Sequence, residues 1–361
     1  MEAGCRADRI YIGRGRVRIG MLVQLQYLRA IAALMVVYFH SVLQVPKVDP
    51  GFQTVFHLFG ETGVDIFFVL SGFVMWLTTT GREIRPLEFY RRRIQRIVPL
   101  YWLATLFAAC VALVAPTLLK STVFEFPHVI ASLFFLPWKN PADPTLTVPV
   151  VVPGWTLNYE MFFYFVFGLL LLVREKWRMA SLFAAMTVII VFCRLLPGDL
   201  TAAKFYGDPI IYEFLAGVLL AKLYLDKVLL PQAVAWPALV MGFSFLLINE
   251  TLCDASTRSY MWGIPAVVIV YSAVSIDFSK LPVIGSLNYL GDASYSIYIT
   301  HAFTLAVLRV VCVHLNIDIL ANAPVFVSCC ILFSAIGGAI VHELTTPSRW
   351  RKWKRKPAVA A

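Results

Sequence analysis

The sequence predicts an all-α fold: a polytopic membrane protein with about ten transmembrane helices. Of its 361 residues, 60% are hydrophobic and 14% are charged, whereas about 25% of the residues in a typical soluble domain are charged. Ten mostly apolar segments approach the ~20 residues that a helix needs to cross a bilayer. These segments are residues 22–42, 61–80, 97–116, 154–173, 179–196, 209–225, 230–248, 260–276, 288–310 and 324–344.

The distribution of basic residues predicts that both termini are cytoplasmic. In that orientation, 23 Lys and Arg residues fall on the cytoplasmic side and six on the outer side. Because cytoplasmic loops of membrane proteins are enriched in Lys and Arg, this asymmetry accounts for the net charge of +10. We therefore expect the lipid bilayer, and no nucleic acid, as the partner of the basic surface.

The domain organisation is predicted to be one membrane domain over residues 21–345. The Arg-rich residues 1–20 are either a basic cytoplasmic tail or a stretch that precedes the true start. Residues 346–361 are predicted to be a second basic cytoplasmic tail, with an aromatic-containing stretch at the interface. Residues 128–138 are too few to cross a bilayer and are interpreted as an interfacial or re-entrant element. The proline-rich residues 139–153 follow as an extended loop.

Ionisable side chains inside the predicted spans are the first candidates for function. Each costs about 2.5–3.5 kcal/mol on insertion scales, so a functional or pairing role is expected. The alternatives are snorkelling to the interface, which suits Arg309, and structural pairing between helices, which suits Asp65 and Glu213. The seven cysteines have no C-x-x-C spacing, so no metal site is predicted. The candidates are Arg29, His40, Asp65, Glu160, Glu213, His301 and Arg309.

Arg29 and His40 lie in the first predicted span, in the stretch "LRAIAALMVVYFH". Eleven residues separate them, which is about 20° more than three full helical turns and about 16 Å along the axis. They therefore share one helix face. A single buried His is more often structural. A fixed cation and an imidazole on the same helix face, however, indicate that this face lines a path through the protein.

Predicted depth places Asp65 and Glu160 near His40. Asp65 lies near the outer end of the second span, and Glu160 lies near the outer end of the fourth. The three side chains are expected to form an outward-facing cluster. A carboxylate beside an imidazole fixes its tautomer and stabilises the imidazolium, which suits general base catalysis.

The stretch "FYRRRIQRIVPLYW", residues 89–102, predicts a different chemistry on the cytoplasmic side. Arg93 and Arg96 share one face if this segment is helical. Arginine forks bind phosphate bidentately, so these two residues are candidates for a phosphate-containing ligand. Ordinary anchoring of a cytoplasmic loop is the alternative interpretation.

Five motifs in one order resemble the acyltransferase 3 family of integral membrane enzymes. They are the R-x10-H pair Arg29 and His40, "GVDIFFVLSGFVM" at 63–75, Arg93 with Arg96, "WTLNYEMFFY" at 155–164 and "GDASYSIYITH" at 291–301. The resemblance covers about residues 22–345 and is greatest to the branch of bacterial exopolysaccharide acetyltransferases. Some members carry a fused extracytoplasmic esterase-like domain, which is not expected here.

The resemblance implies a membrane O-acyltransferase, in first place an O-acetyltransferase, of the bacterial inner membrane. The implied donor is cytoplasmic acyl-CoA, most simply acetyl-CoA, with no bound cofactor and no metal. The implied acceptor is a hydroxyl of an exopolysaccharide or another surface glycan, as polysaccharide or as a lipid-linked precursor. The acyl group, acetyl or succinyl, and the choice between direct transfer and an acyl-His40 intermediate stay open.

The resemblance and the chemistry together assign roles to the candidates. His40 is expected to be the general base, with Asp65 or Glu160 to orient it. Arg93 and Arg96 are expected to hold the donor nucleotide, with Arg29 beside the pantetheine arm. Arg29 or His301 is a candidate to stabilise the oxyanion, and Glu213 is a further candidate site residue.

A transporter or flippase of a glycan precursor, without acylation, is the alternative function. Charged groups near mid-membrane, interrupted helices and basic loops also occur in transporters. The two halves of the sequence show no internal repeat, which weighs against this alternative.

Overall fold

The structure is a computed structural model that describes residues 9–12, 15–18, 22–49, 51–52, 58–115, 122–248, 257–278, 281–315 and 322–346. The described residues are mostly helical. Their α-helices are α1 (Val23–Val42), α2 (Gly63–Thr79), α3 (Pro86–Val114), α4 (Phe126–Leu133), α5 (Trp155–Leu170), α6 (Glu175–Leu195), α7 (Thr201–Tyr206), α8 (Ile211–Leu225), α9 (Gln232–Ile248), α10 (Arg258–Met261), α11 (Gly263–Ser275), α12 (Gly285–Leu315) and α13 (Ala323–Thr345).

Helices of the described residues coincide with all ten predicted spans. Six helical stretches are long and apolar enough to cross a membrane, which makes this a multi-pass membrane protein. The other four predicted spans correspond to α5, α8, α9 and α11, which have 13 to 17 residues each. The count of ten spans and the orientation therefore stay predictions. The six stretches are Val23–Lys47, Phe59–Thr79, Pro86–Val114, Glu175–Leu195, Gly285–Val313 and Ala323–Thr345.

Two short antiparallel hairpins add β-structure that the all-α prediction did not include. One pairs β1 (Arg9–Ile12) with β2 (Gly15–Arg18), within the predicted N-terminal tail. The other pairs β3 (Lys139–Asn140) with β4 (Asp143–Thr147), where the sequence predicted an extended loop. The preceding element, α4, has only 8 residues, in keeping with the prediction that it is too short to cross. The predicted basic tail lies, from residue 347 onward, outside the described residues.

The Arg-rich segment is helical, as its interpretation requires. Helix α3 begins at Pro86, eleven residues before the predicted span at 97. Proline is favoured in the first turn because its missing N–H would have no intrahelical partner there. Arg93 and Arg96 therefore lie on one helix and within one turn of each other.

Helices α2 and α8 pack with their backbones in contact. A Cβ placed at Gly72 would stand 1.9 Å from the carbonyl oxygen of Phe214, and one at Gly217 would stand 2.0 Å from that of Val69. Small residues permit such close approach, which is a main source of helix association inside membranes. This contact fixes the position of α2, which lines the site described below.

Helices α1 and α12 lie side by side and run in the same direction. Gln26 Nε2, in the first turn of α1, donates to Asp292 Oδ1, about two turns into α12, at 3.1 Å. A Cβ at Gly291 would stand 2.2 Å from the carbonyl oxygen of Gln26, so the two backbones touch there. The parallel packing brings the ionisable groups of α1 beside polar groups of α12 along their length.

Candidate active site

An internal cavity lies among α1, α2, α3, α5 and α12. Its empty volume is about 810 Å³ when the open space at its mouth is counted. One part of its lining is charged, with Arg29, Arg93, Arg96 and Glu160. The remainder is mostly apolar and aromatic. The cavity therefore offers one end to a charged group and another to an apolar one.

Two of the cavity's arginines are held in place by their neighbours. The guanidinium of Arg93 lies 5.5 Å from the ring centroids of both Phe89 and Tyr164, which is within the range of cation–π attraction. Its buried Nε has no hydrogen-bond partner among the described residues. Arg29 donates from Nη2 to Ser294 Oγ at 2.9 Å. Three arginines against one carboxylate make the lining positive, which suits an anionic ligand.

Glu160 belongs to this cavity and has no hydrogen bond to His40 among the described residues. Its Oε1 accepts from Ser71 Oγ at 2.8 Å and from the hydroxyl of Tyr164. Tyr164 and Glu160 are one turn apart on α5, and Ser71 faces them from α2. The carboxylate is thus fixed inside the arginine-lined end.

His40 contacts His301, and we call these two residues the histidine pair. His301 Nε2 lies 3.3 Å from His40 Nδ1. Nδ1 of His301 lies 2.7 Å from the carbonyl oxygen of Tyr298, and Nδ1 of His40 lies 3.0 Å from that of Val36. A carbonyl oxygen can only accept, so Nδ1 carries the hydrogen in both neutral rings.

This tautomer leaves a lone pair on each Nε2. Nε2 of His301 accepts from His40 Nδ1–H, which it shares with the carbonyl oxygen of Val36. Nε2 of His40 has no hydrogen-bond partner among the described residues, so it is available to accept a proton. The neighbouring imidazole orients this ring as a carboxylate would, and it stabilises the protonated form by accepting from Nδ1.

Asp65 belongs to a separate group that we call the acidic cluster: Glu61, Asp65 and Glu213 around Arg258. Arg258 contacts Asp65 at 3.3 Å and also binds Glu61. Asp65 is 0% exposed and Glu213 is 4% exposed. The Arg258 guanidinium also lies over the ring of Trp262, 4.5 Å from its centroid.

The predicted cluster of His40, Asp65 and Glu160 is therefore not formed. The three side chains face different neighbours. Asp65 faces α8 and α10, whereas Glu160 faces α2 and the cavity. Hydropathy predicts how far along a membrane span a residue lies. Which helix its side chain contacts depends on tertiary packing.

Two aromatic residues, Phe67 and Tyr298, lie between the cavity and the histidine pair, and we call them the ring pair. Both line the cavity, and their ring centroids are 5.7 Å apart with edge-to-face geometry. The Tyr298 ring also lies 6.1 Å from that of His301. Sequence analysis did not single out either residue, although Tyr298 is one helical turn before His301 in the last motif.

The fold and the site define a multi-pass membrane protein with an arginine-lined cavity next to the histidine pair, of which His301 is buried and His40 is half-buried. A family model described as an acyltransferase domain matches residues 22–344. The chain therefore belongs to the acyltransferase 3 family, as its motifs predicted.

Relatives agree with this assignment. The exopolysaccharide production protein ExoZ of Rhizobium meliloti (strain 1021) is 36% identical over 253 residues, which are 69% of this chain and 78% of ExoZ. The acyltransferase MdmB of Streptomyces mycarofaciens is 26% identical over 312 residues, 79% of each chain. No solved structure matches.

We predict that Arg258→Gln destabilises the protein by about 3–5 kcal/mol, the usual cost of removing one partner of a buried ion pair. It leaves the carboxylate of Asp65 buried without its cation. Thermal unfolding of the purified protein in detergent measures the effect. Lys222→Gln is the control, because Lys222 pairs with Asp226 with both side chains 49% exposed, and such a pair contributes at most about 1 kcal/mol. Equal shifts for the two variants would contradict the prediction.

Proposed function

We propose that this protein is a membrane O-acyltransferase. It transfers an acyl group, most simply acetyl, from acyl-CoA to a hydroxyl of an exopolysaccharide or another surface glycan. The observation that carries the proposal is the arginine-lined cavity whose far end adjoins the histidine pair. Family membership supports the transferase class. The similarity to a relative named for exopolysaccharide production favours a glycan acceptor.

The donor occupies the cavity, with its phosphates at the arginines. Arg93 and Arg96 hold the phosphates, because guanidinium forks bind phosphate oxygens bidentately. Arg93 is oriented in advance by two aromatic rings, so less conformational entropy is lost on binding. Arg29 is on the adjacent helix and lies next to the pantetheine arm. Glu160 keeps Tyr164 and Ser71 in position beside the arginines.

His40 is the general base of the transfer. The acceptor oxygen attacks the thioester carbonyl carbon while Nε2 of His40 takes the hydroxyl proton. The C–S bond then breaks, the acyl group stays on the acceptor oxygen, and the imidazolium returns its proton to the leaving thiolate. An acyl-His40 intermediate would use the same nitrogen as the nucleophile.

The geometry favours His301 over a carboxylate as the residue that positions His40. Both nitrogens of His301 are engaged, one as a donor to a carbonyl and one as an acceptor from His40. His301 thus has no hydrogen left for an oxyanion. Asp65 and Glu213 stabilise the packing of α2, α8 and α10 through Arg258. Arg29 is about 16 Å from His40 along α1, so its role is with the donor.

The proposed orientation places both termini in the cytoplasm of a bacterial inner-membrane protein with ten spans. Acyl-CoA then reaches the arginines from inside, and the glycan reaches the histidine pair from outside. The excess of Lys and Arg on one side supports this orientation.

Cysteine labelling tests the orientation. In a variant without the seven native cysteines, we expect Leu146→Cys on the β3–β4 hairpin to react with a membrane-impermeant thiol reagent in intact spheroplasts. Glu83→Cys, before α3, should react only after the membrane is broken. Both positions are exposed. The reverse pattern would place the arginines on the side without acyl-CoA and would contradict the proposed donor site.

Replacement of His40 tests the base. His40→Ala should abolish acyl transfer to the glycan, with the protein still inserted and abundant, because no other described side chain offers the same free imidazole nitrogen at this place. Mass spectrometry of the surface polysaccharide, with quantified membrane protein, measures the outcome. His342→Ala on α13 is the control and should retain activity. Wild-type levels of acylated glycan in His40→Ala would exclude His40 as the base. If the native protein translocated glycan without acylating it, the transporter alternative would be favoured.

Paired substitutions test the donor site. Arg93→Ala with Arg96→Ala should raise KM for acyl-CoA at least about tenfold, as expected when charge-assisted bonds of about 1.5–3 kcal/mol are lost, and should change KM for the acceptor far less. Lysine at both positions should restore only part of the affinity, because an ammonium lacks the fork. Arg91→Ala with Arg92→Ala is the matched control, since these exposed neighbours do not line the cavity. Equal effects of the two pairs would indicate that the arginines only anchor the segment.

A further inference from the structure

The position of the ring pair follows from the order of residues along α12. Ser294, the partner of Arg29, comes first, Tyr298 follows about one turn later, and His301 lies about one turn beyond Tyr298. One turn advances about 5.4 Å along the axis. Tyr298 therefore stands at the level between the arginine-lined end and the histidine pair. Phe67 faces it from α2.

The ring of Tyr298 is held at both its edge and its hydroxyl. The hydroxyl donates to the carbonyl oxygen of Pro153 at 2.9 Å and is also 2.9 Å from Thr156 Oγ1. The side chain is 6% exposed. Because Pro153, on the turn before α5, and Thr156, in the first turn of α5, both bind the hydroxyl, the ring cannot turn aside without loss of both bonds. The ring is thus a firmly held part of the cavity lining on the side nearest the histidine pair.

The chemistry of the proposed transfer directs the acyl chain toward the ring pair. The acceptor hydroxyl comes from the histidine side, and the thiolate leaves toward the arginines. The carbonyl carbon lies between them, so the rest of the acyl group must occupy the apolar end of the cavity. Val64, Phe67 and Tyr298 form the lining there.

We propose that Phe67 and Tyr298 limit the length of the transferred acyl group, so that the enzyme accepts acetyl and discriminates against longer chains. This inference rests on the proposed function. Protein interiors are close-packed, and an added methylene must displace a ring that its neighbours hold. A difference of one methylene in a fitted pocket changes kcat/KM by about 10–200-fold, which is sufficient for such selectivity.

The experiment compares acetyl-, propionyl- and butyryl-CoA as donors for the purified protein in lipid vesicles with a glycan acceptor. The native protein should use acetyl-CoA at least about tenfold better than butyryl-CoA in kcat/KM. Phe67→Ala should reduce that ratio by about tenfold or more, chiefly through improved use of butyryl-CoA. Phe67→Leu removes less volume and should have a smaller effect in the same direction. If Phe67→Ala does not fold, the acetyl-to-butyryl ratio of Phe67→Leu tests the proposal instead.

Two control variants separate ring volume from general damage. Val74→Ala truncates another lining residue on the same face of α2, two turns from Phe67 and nearer the arginines. It should leave the acetyl-to-butyryl ratio unchanged. Tyr298→Phe keeps the ring but removes the hydroxyl that binds Pro153 and Thr156, and it should relax the ratio less than Phe67→Ala.

The outcomes distinguish the two proposals. If the native protein transfers no acyl group from any donor, the proposed function fails. If the native protein transfers acetyl but uses butyryl-CoA equally well, the acyl-length inference is overturned and the function stands. The inference is also overturned if the native preference for acetyl persists unchanged in both Phe67 variants, or if Val74→Ala relaxes the ratio as much as they do.

Discussion

The parallel contact between α1 and α12 is the constraint on which the rest of the site depends. The backbones meet at Gly291, where a Cβ would stand 2.2 Å from the carbonyl oxygen of Gln26. That register aligns Arg29 with Ser294 at one level and His40 with His301 at another. A shift of one residue would turn each side chain by about 100° around the helix and separate both pairs. The close contact of two backbones thus sets the geometry of both ends of the path.

Buried charge is divided between two places with opposite character. In the acidic cluster, Arg258 is bound by Glu61 and Asp65 and faces Glu213, so neighbouring carboxylates compensate its positive charge. In the cavity, three arginines face one carboxylate, and that carboxylate already accepts two hydroxyl hydrogen bonds. Unpaired buried charge is costly unless a ligand compensates it. The separation of the two groups leaves the cavity with a positive excess that an anionic ligand can neutralise.

The sequence located the helices well because hydropathy is a local property, and it failed where faces had to be paired. All ten predicted segments are helical, and Arg29 and His40 share a face as their spacing required. Helix α3 begins at Pro86, eleven residues before the predicted span. The charged residues of that stretch are mostly Arg, which has a favourable helix propensity. The pairing of His40 with His301, across 261 residues, depends on which helices meet. No periodicity within a single helix contains that information.

The proposed transfer brings a donor and an acceptor together from opposite sides of the membrane, and this must happen without a channel between two aqueous spaces. The polar groups of this site lie at two levels, the arginines at one and the histidine pair at the other, and an apolar layer separates them. Phe67 and Tyr298 form that layer with their rings edge to face. Ring faces offer water and ions few hydrogen bonds, whereas an apolar acyl group is compatible with them. In the proposed function, the rings that limit the acyl chain would therefore also hinder the passage of water and ions between the two levels.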